Sequence, residues 1–126
     1  MKQELEKKLV EKYPKIFGQI RSTPQQSCMA FGIETGDGWY WLLDNLCKGL
    51  QHNIDNNGQP QIVAAQVKEK FGGLRFYVNS ATDEQYAIIS FVEDLSYSIC
   101  ESCGSTENIS QTEGYIRTLC SSCRDF

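Results

Sequence analysis

The chain lacks the apolar segments that would mark it for export or for a membrane. Its first residues, MKQELEKKLVEKY, alternate charged and apolar side chains. They contain no apolar run of about 7–15 residues, which a secretory signal requires. The longest apolar stretches, such as YAIISFV, are too short to cross a bilayer. We therefore expect a cytoplasmic protein with no membrane role.

Basic residues are missing from a long part of the second half. Between Arg75 and Arg117 there is no Lys or Arg, whereas seven acidic residues fall in that interval. Residues 1–30 have the opposite balance, with six Lys or Arg against three Glu. The net charge of −4 therefore combines a basic start with an acidic second half. Because an acidic surface repels phosphate, generic nucleic-acid binding by this half is disfavoured.

Histidine is scarce, which limits what the six cysteines can do as nucleophiles. A cysteine nucleophile needs a neighbouring base, and the only histidine is His52. It lies five residues from Cys47 on a predicted helix and points away from it, so Cys47 is most simply a small core residue. A pairing of Cys28 with His52 stays open. No catalytic set is recognised, and we expect a protein that is not an enzyme.

The 126 residues have the size and composition of one globular domain, with 40% hydrophobic and 22% charged residues. Apolar spacing predicts a helix over residues 2–13 that ends at Pro14, followed by a short strand around residues 29–33. Asp37 is expected to cap a helix over residues 38–52. The apolar stripe of that helix comprises Trp39, Leu42, Leu43, Leu46 and Leu50.

Residues 61–80 carry the clearest β-hairpin pattern, because two β-prone runs meet at Gly72 and Gly73. With these glycines in the turn, Phe71 faces Leu74. Glu69 would then fall on the core face, which implies a bulge, a sheet-edge position or a buried partner. The predicted core face carries Val63, Ala65, Val67, Phe71, Leu74, Phe76 and Val78.

A third helix is predicted after the hairpin. The sequence TDEQ fits a capping box in which Thr82 caps the helix and Gln85 reaches back. The helix should run to about Ile99 and lead directly into the first C-terminal cysteine. Its predicted inner face carries Ile88, Val92, Leu95 and Ile99, flanked by Ile89 and Phe91.

The last 27 residues contain two Cys-x2-Cys pairs separated by sixteen residues. A two-residue gap lets both thiolates of a pair face one ion, and two pairs complete a tetrahedral zinc site. Free thiols or a redox pair are the alternative, but they do not explain the shared spacing. Gly104 suits the tight turn of the first pair, and Glu113-Gly114 should turn a small hairpin between the pairs. The predicted ligands of one structural Zn²⁺ are Cys100, Cys103, Cys120 and Cys123.

These elements predict an α+β fold. A small antiparallel hairpin packs with about three helices over residues 1–99, and a zinc-ribbon-like module follows over residues 100–126. The module is too small to bury much core, whereas structural zinc contributes about 10–16 kcal/mol in small modules. Without metal, the module should therefore unfold.

Two surface groups are candidates for binding a partner. Outward aromatic and acidic residues on the helices form the first group, since exposed aromatics are enriched at interfaces. A basic hairpin face with a stacking aromatic forms the second, which suits phosphate or nucleic acid. For both groups, cover by another element of the same domain is the alternative. The first group comprises Trp41, Tyr86, Glu93, Asp94 and Tyr97, and the second comprises Lys68, Lys70, Arg75 and Tyr77.

Three motifs taken together resemble a family of small uncharacterised proteins from bacteriophages, prophages and some bacteria. They are GDGW at 36–39, KEKFGGLRFY at 68–77, and CESCG followed by TLCSSC. The resemblance covers most of the chain from Gly36 onward. It implies an accessory viral or prophage product that acts in the host cytoplasm, and it implies no catalytic residue.

The function predictions are ranked. The first is a non-enzymatic, zinc-stabilised protein that binds a host macromolecule, expected to be a protein, as an inhibitor or counter-defence factor. The second is a nucleic-acid-associated zinc-ribbon regulator that uses the basic hairpin face. The third is a small enzyme of unknown reaction, built around Glu69, Arg75 and the GDGW loop.

Overall fold

The computed structural model describes residues 1–124, which fold as helices packed with two small sheets. The fold is α+β, as predicted. Within the sheets, β1 is parallel to β2, β2 is antiparallel to β3, and β4 is antiparallel to β5. The helices are α1 (Gln3–Lys12), α2 (Tyr40–Asn57), α3 (Asp83–Leu95) and α4 (Ser121–Arg124). The strands are β1 (Ile33–Glu34), β2 (Ala64–Lys70), β3 (Gly73–Val78), β4 (Ile109–Gln111) and β5 (Thr118–Cys120).

Helix α2 supplies the largest share of the core. All five residues of its predicted apolar stripe are buried, from Trp39 to Leu50. The helix ends at Gly58, which adopts a left-handed conformation with φ of 67°. Trp41 points away from this stripe and is 63% exposed, as predicted.

Asp37 does not cap α2, contrary to the sequence prediction. It lies in a 3₁₀ turn at Asp37–Trp39 that precedes the helix. Its carboxylate instead accepts a hydrogen bond of 2.8 Å from the backbone N–H of Lys2, just before α1. Asp37 therefore ties the start of α1 to the segment that leads into α2.

The strand expected around residues 29–33 is shorter and later than predicted. Cys28–Phe31 forms a 3₁₀ turn, which begins where the Ser27 side chain accepts a hydrogen bond from the backbone N–H of Met29. Only Ile33 and Glu34 then pair with β2. Local capping by Ser27 therefore replaces the first part of the expected strand.

The hairpin turn is displaced by one residue from its predicted place. Lys70 pairs with Gly73, so the turn residues are Phe71 and Gly72, with φ of 53° and 84°. Gly73 lies in β3, where a Cβ atom would collide with the hydroxyl of Tyr97, so this strand position requires glycine. Phe71 is consequently 67% exposed and does not belong to the core.

The core face of the hairpin otherwise keeps the predicted alternation, with Val67, Leu74 and Phe76 buried. Near the start of β2 a bulge between Ala64 and Gln66 shifts the register. The bulge buries Ala64 in place of the two residues on either side of it, which are half-buried. The prediction was therefore wrong for Val63 and Ala65, and Val78 is also only half-buried.

Helix α3 begins with the predicted capping box, in which Thr82 and Gln85 bond reciprocally. Its inner face differs from the prediction, because Gln85, Ile89 and Val92 are buried while Phe91 is 65% exposed. The helix ends at Leu95, which is also exposed, and a 3₁₀ turn follows at Ser96–Ser98. Ile88 is only half-buried, whereas Ile99 is buried as predicted.

The edge of strand β3 explains this rotation of α3. The Ser96 hydroxyl accepts a hydrogen bond of 2.9 Å from the Leu74 N–H. The Glu93 carboxylate accepts one of 2.8 Å from the Phe76 N–H. These side chains satisfy the outer N–H groups of an edge strand, so polar residues of α3 face the sheet.

Of the helices within residues 1–124, none is both long enough and apolar enough to cross a membrane.

Candidate metal centre

The structure brings the four predicted cysteines together. Their Sγ atoms all lie within 4.8 Å of one another, and those of Cys103 and Cys120 are 3.6 Å apart. A tetrahedral site with metal–sulfur bonds of about 2.3 Å places its sulfur atoms about 3.8 Å apart. The cluster therefore has the dimensions of a four-thiolate metal site.

The first pair lies on a tight backbone turn. The Gly104 N–H donates a hydrogen bond of 2.9 Å to the Cys100 carbonyl, and the Cys100 N–H donates one of 2.8 Å to the Ser105 carbonyl. Gly104 has φ of 82°, a left-handed conformation that favours glycine. This confirms the predicted role of Gly104.

The second pair is arranged differently from the first. Cys120 is the last residue of β5, and Cys123 lies in α4, which begins at Ser121. The guanidinium of Arg124 donates hydrogen bonds to the Leu119 carbonyl at 3.0 Å and to the Ser110 hydroxyl at 2.6 Å. This arginine therefore holds α4 against the β4–β5 hairpin.

The β4–β5 hairpin that links the two pairs was predicted from sequence. Ile109 lies opposite Cys120, and the connecting turn contains the expected Gly114, with φ of 72°. The Thr112 hydroxyl accepts a hydrogen bond of 2.8 Å from the Arg117 N–H and donates one to the Tyr115 carbonyl at 2.7 Å. The hairpin thus fixes the spacing between the pairs.

The thiols differ in their acidity. Burial raises the pKa of Cys100, but hydrogen bonds from the backbone N–H groups of Cys120, Cys103 and Ser102 outweigh it and lower this pKa to about 6. Hydrogen bonds with Cys120 and Cys100 raise the pKa of Cys123 to about 12. Because metals bind thiolates, loading this site releases protons.

The GDGW loop, residues 36–39, packs directly against the first cysteine pair. The indole N–H of Trp39 donates a hydrogen bond of 2.9 Å to the Ile99 carbonyl. The Gly38 N–H donates one of 2.7 Å to the Glu101 carbonyl. A Cβ atom on Gly38 would collide with the Cys100 carbonyl. The loop therefore needs glycine here, because two backbones are in direct contact.

Glu101 is the charged residue most deeply placed in this junction. Its carboxylate accepts a hydrogen bond of 2.9 Å from the Gly36 N–H and lies 3.8 Å from the guanidinium of Arg117. Burial raises the pKa of Glu101, while these two contacts act in the opposite direction. Sequence reasoning missed this residue, although an acid between two ligand cysteines was a usable signal.

The β2–β3 hairpin also contacts the C-terminal module. The Thr118 hydroxyl donates a hydrogen bond of 2.6 Å to the Gly72 carbonyl. The Gln111 amide donates one of 3.2 Å to the Tyr97 carbonyl. The GDGW loop, the turn of the β2–β3 hairpin and the cysteine-containing segments thus meet at one junction between the α+β body and the module.

The five predicted partner-binding residues fall into two groups. Trp41, Tyr86 and Asp94 are exposed, as predicted. Glu93 and Tyr97 are half-buried and already have internal partners, so the prediction that they face outward was wrong. Glu93 binds the edge of β3, as described above. The Tyr97 hydroxyl accepts a hydrogen bond of 3.1 Å from the Arg75 guanidinium.

The predicted basic face of the β2–β3 hairpin is partly covered. Lys68 lies opposite Arg75 in the sheet, and Lys70 lies opposite Gly73 on the same face. Lys70 and Tyr77 are exposed, whereas Lys68 and Arg75 are half-buried, and Tyr97 packs against Gly73 and Arg75 on this face.

The residues proposed for an enzymatic role do not form one site. Glu69 and Arg75 lie on opposite faces of the sheet. The Glu69 carboxylate accepts a hydrogen bond of 2.7 Å from the Gly72 N–H, which accounts for a carboxylate on the core face. Cys47 is buried, and burial raises its pKa, so it is an inert core thiol.

Cys28 and His52 are both exposed. The ring of His52 lies 3.1 Å from the side-chain amide of Asn56, one turn along α2. Neither residue lies among the groups that contact the cysteine cluster.

A groove of about 470 Å³ lies where α1, the GDGW loop and the first cysteine pair meet. Its walls come from both the body and the module, so its shape depends on how the two are packed. Trp41 lies on this groove. Other lining residues are Leu5, Asp37, Tyr40, Cys103 and Thr106.

Comparisons with known proteins do not assign the chain to a family: no protein-family model matches it, and neither does any curated protein or solved structure.

Proposed function

We propose that this chain is a zinc-stabilised accessory protein of a phage or prophage that binds a host protein through the outer face of α3. The observation that carries the proposal is the exposure of large apolar side chains on this helix. Phe91 is 65% exposed, and Tyr86 and Leu95 are also exposed. Phe91 and Leu95 are four residues apart and so lie side by side, whereas Tyr86 lies on the other flank of the exposed surface; exposed apolar side chains of this kind favour contact with another protein.

Zinc is the metal that best fits the four cysteines. Four thiolates at tetrahedral spacing select zinc among common intracellular metals, with an iron–sulfur centre as the other possibility. A site closed by four protein ligands leaves no position for a substrate, which supports a structural role. The metal would then hold the fold together and take no part in a reaction.

The charge around the α3 surface indicates the chemistry of the partner. Asp83, Glu84 and Asp94 are exposed on the same helix as the apolar residues. No Lys or Arg lies between positions 75 and 117 to offset them. Acidic side chains beside exposed apolar ones favour a host protein with basic side chains beside an apolar pocket.

This surface revises the predicted residues while keeping the predicted helix. Tyr86 and Asp94 remain, whereas Phe91 and Leu95 replace Glu93 and Tyr97. The resemblance to phage and prophage proteins makes a bacterial cell the host to test. Binding would inhibit the host protein or counter a host defence by covering its basic surface.

A capture experiment with matched variants tests the binding proposal. The zinc-loaded protein is immobilised and exposed to bacterial lysate, and bound proteins are identified by mass spectrometry. A Tyr86→Ser, Phe91→Ser double variant should lose a stoichiometric partner that Phe31→Ser retains. Phe31 is a suitable control because it is 61% exposed but lies in the 3₁₀ turn at Cys28–Phe31. Equal capture by both variants, or no stoichiometric partner, would refute the proposal.

Native mass spectrometry tests the metal separately. We expect one zinc ion per chain, and none in a Cys103→Ser, Cys120→Ser double variant. Stoichiometric zinc in that variant would contradict the assignment of the ligands.

A further inference from the structure

The turn of the β2–β3 hairpin places an aromatic residue where the backbone disfavours it. Phe71 has φ of 53°, and the following Gly72 has φ of 84°. Two consecutive positive φ angles define the hairpin turn for which Asn-Gly is the usual sequence. A bulky residue in this conformation is strained. Because Phe71 is also 67% exposed, core packing does not compensate for the strain.

Strain at an exposed position points to a role outside folding. Proteins retain strained residues mainly where binding or another function requires the side chain. Asparagine at position 71 would suit the turn better and would expose less apolar surface to water. The presence of Phe71 therefore calls for a ligand that contacts its ring.

The face beside Phe71 indicates what that ligand is. The Lys70 ammonium lies 5.8 Å from the centre of the Phe71 ring. Lys68 and Arg75 form the next pair along the same face, and Tyr77 lies beyond them with 42% of its surface exposed. Two exposed aromatic rings thus lie at the two ends of a row of three cations. From Gly73, where β3 begins, Tyr77 lies four residues along the strand, a rise of about 13 Å.

We propose that this face binds single-stranded nucleic acid, with bases stacked on Phe71 and Tyr77 and phosphates paired with Lys68 and Lys70. Every base has a π-face, so stacking on exposed aromatics suits a strand of any sequence. The surface is separate from the outer face of α3, and the inference does not depend on the proposed protein partner.

The charges on this face favour a single strand over a duplex. The Arg75 guanidinium is held by the Tyr97 hydroxyl and the Leu74 carbonyl, so we assign the phosphate contacts to the two lysines. Glu34 pairs with Lys68 across the sheet and adds one negative charge. So few cations favour a flexible strand whose bases can stack, because duplex binding relies mainly on phosphate contacts.

A variant of the turn residue gives the decisive test. Phe71→Asn should raise the denaturant midpoint, because Asn-Gly relieves the strained turn. The same variant should weaken binding of a fluorescent single-stranded oligothymidine by about 5- to 150-fold, the effect of losing one stacked base. Phe31→Asn, an exposed phenylalanine outside the hairpin, should leave binding unchanged. A more stable Phe71→Asn protein with undiminished affinity would overturn the inference.

Salt dependence tests the cation contacts. The logarithm of the binding constant should fall with the logarithm of salt concentration with a slope of about −1.4, for two phosphate contacts. A Lys68→Gln, Lys70→Gln variant should lose most of that slope while keeping the fold. No binding at low salt would refute the proposal. Competition by polyglutamate as strong as by the oligonucleotide would also refute it, since that result identifies an acidic protein as the ligand.

Discussion

The body and the C-terminal module are stabilised by different means. The body, residues 1–99, buries a cluster of twenty hydrophobic residues drawn from α1, α2, α3 and the sheet. The cluster in the module contains three buried residues, of which two are the cysteines Cys100 and Cys120. Leu119 is the third. Apolar burial is sufficient to explain the body, whereas the module has little core, so we expect it to depend on a metal at its cysteine cluster.

The junction between the body and the module also makes part of the body depend on the module. The GDGW loop donates three hydrogen bonds to acceptors at residues 99–101. The donors are the backbone N–H groups of Gly36 and Gly38 and the indole N–H of Trp39. The start of α2 therefore depends on a module that has little core of its own. Loss of the module should disturb the GDGW loop while the hairpin and the centre of α2 remain folded.

Metal removal is the strongest test of this contrast and should have the largest effect. Chelation, or the Cys103→Ser, Cys120→Ser variant, should unfold the module, since the metal supplies about 10–16 kcal/mol in such modules. Hydrogen exchange should show loss of protection over residues 100–124 and in the GDGW loop. Protection in β2 and in the middle of α2 should persist. Cys28→Ser is the matched control, because Cys28 is an exposed thiol outside the cluster.

Collapse of the entire chain on chelation would show that the body does not fold by itself. Full protection of residues 100–124 without metal would show instead that the module has a sufficient core. Either result would remove the distinction between the two regions.

A cavity in the body should have the next largest effect. Leu46→Ala deletes a buried side chain from α2, which costs about 2–5 kcal/mol in well-packed cores. Urea denaturation followed by circular dichroism should show this loss. Zinc stoichiometry of the folded variant should stay at that of the wild type, because Leu46 belongs to the body cluster alone. A fall in zinc content would show that the module needs a fully packed body.

A glycine substitution at the junction probes the contact between the regions. Gly38→Ala places a Cβ atom 2.6 Å from both the Glu101 carbonyl and the Gly104 nitrogen, so the backbones must separate. Overpacking of this kind costs about 1–3 kcal/mol. Gly49→Ala is the control, because no atom lies within 4 Å of its added Cβ. It should stabilise α2 by about 0.5–1 kcal/mol. Equal thermal stability of the two variants would argue against tight packing at the junction.

Local patterns predicted much of the fold and of the metal centre. The capping box at Thr82 and the stripe of α2 depend on residues close in sequence. The two Cys-x2-Cys pairs are also read locally, and their spacing predicted that the thiols would meet. In each of these cases the physical requirement is satisfied within a short segment, so the sequence displays it directly.

The errors occurred where a distant residue decides the outcome. Gly73 is a strand residue against which Tyr97 packs, a long-range contact that no local pattern reveals. The outer N–H groups of β3 have no neighbouring strand and donate hydrogen bonds to Glu93 and Ser96 instead. These bonds determine which side of α3 faces the sheet. Hydrophobic periodicity alone favoured Leu95 and Phe91 for that face. The hydrogen bonds to the edge strand therefore determine the orientation of α3 more strongly than its apolar spacing does.

A polar cluster in the body gives the smallest and most specific prediction. Asp44 of α2 accepts hydrogen bonds of 2.7 Å from both the Lys12 ammonium and the Tyr13 hydroxyl. Burial raises the pKa of Asp44, but these two hydrogen bonds outweigh it and the pKa is lowered. The ionised carboxylate therefore stabilises the fold at pH values above its unfolded pKa of about 4. This stabilisation is lost as the pH falls through the lowered, folded pKa.

Asp44→Asn should accordingly destabilise the body slightly at neutral pH and have little effect in strong acid. The comparison is best made in the Cys103→Ser, Cys120→Ser background, so that metal release in acid does not contribute. Urea denaturation across the acid range should show the two curves of unfolding free energy converging as the pH falls. Part of the effect is screened by solvent, because Asp44 and Lys12 remain partly exposed. A difference that stays constant with pH would mean that the Asp44 side chain acts through packing and not through its charge.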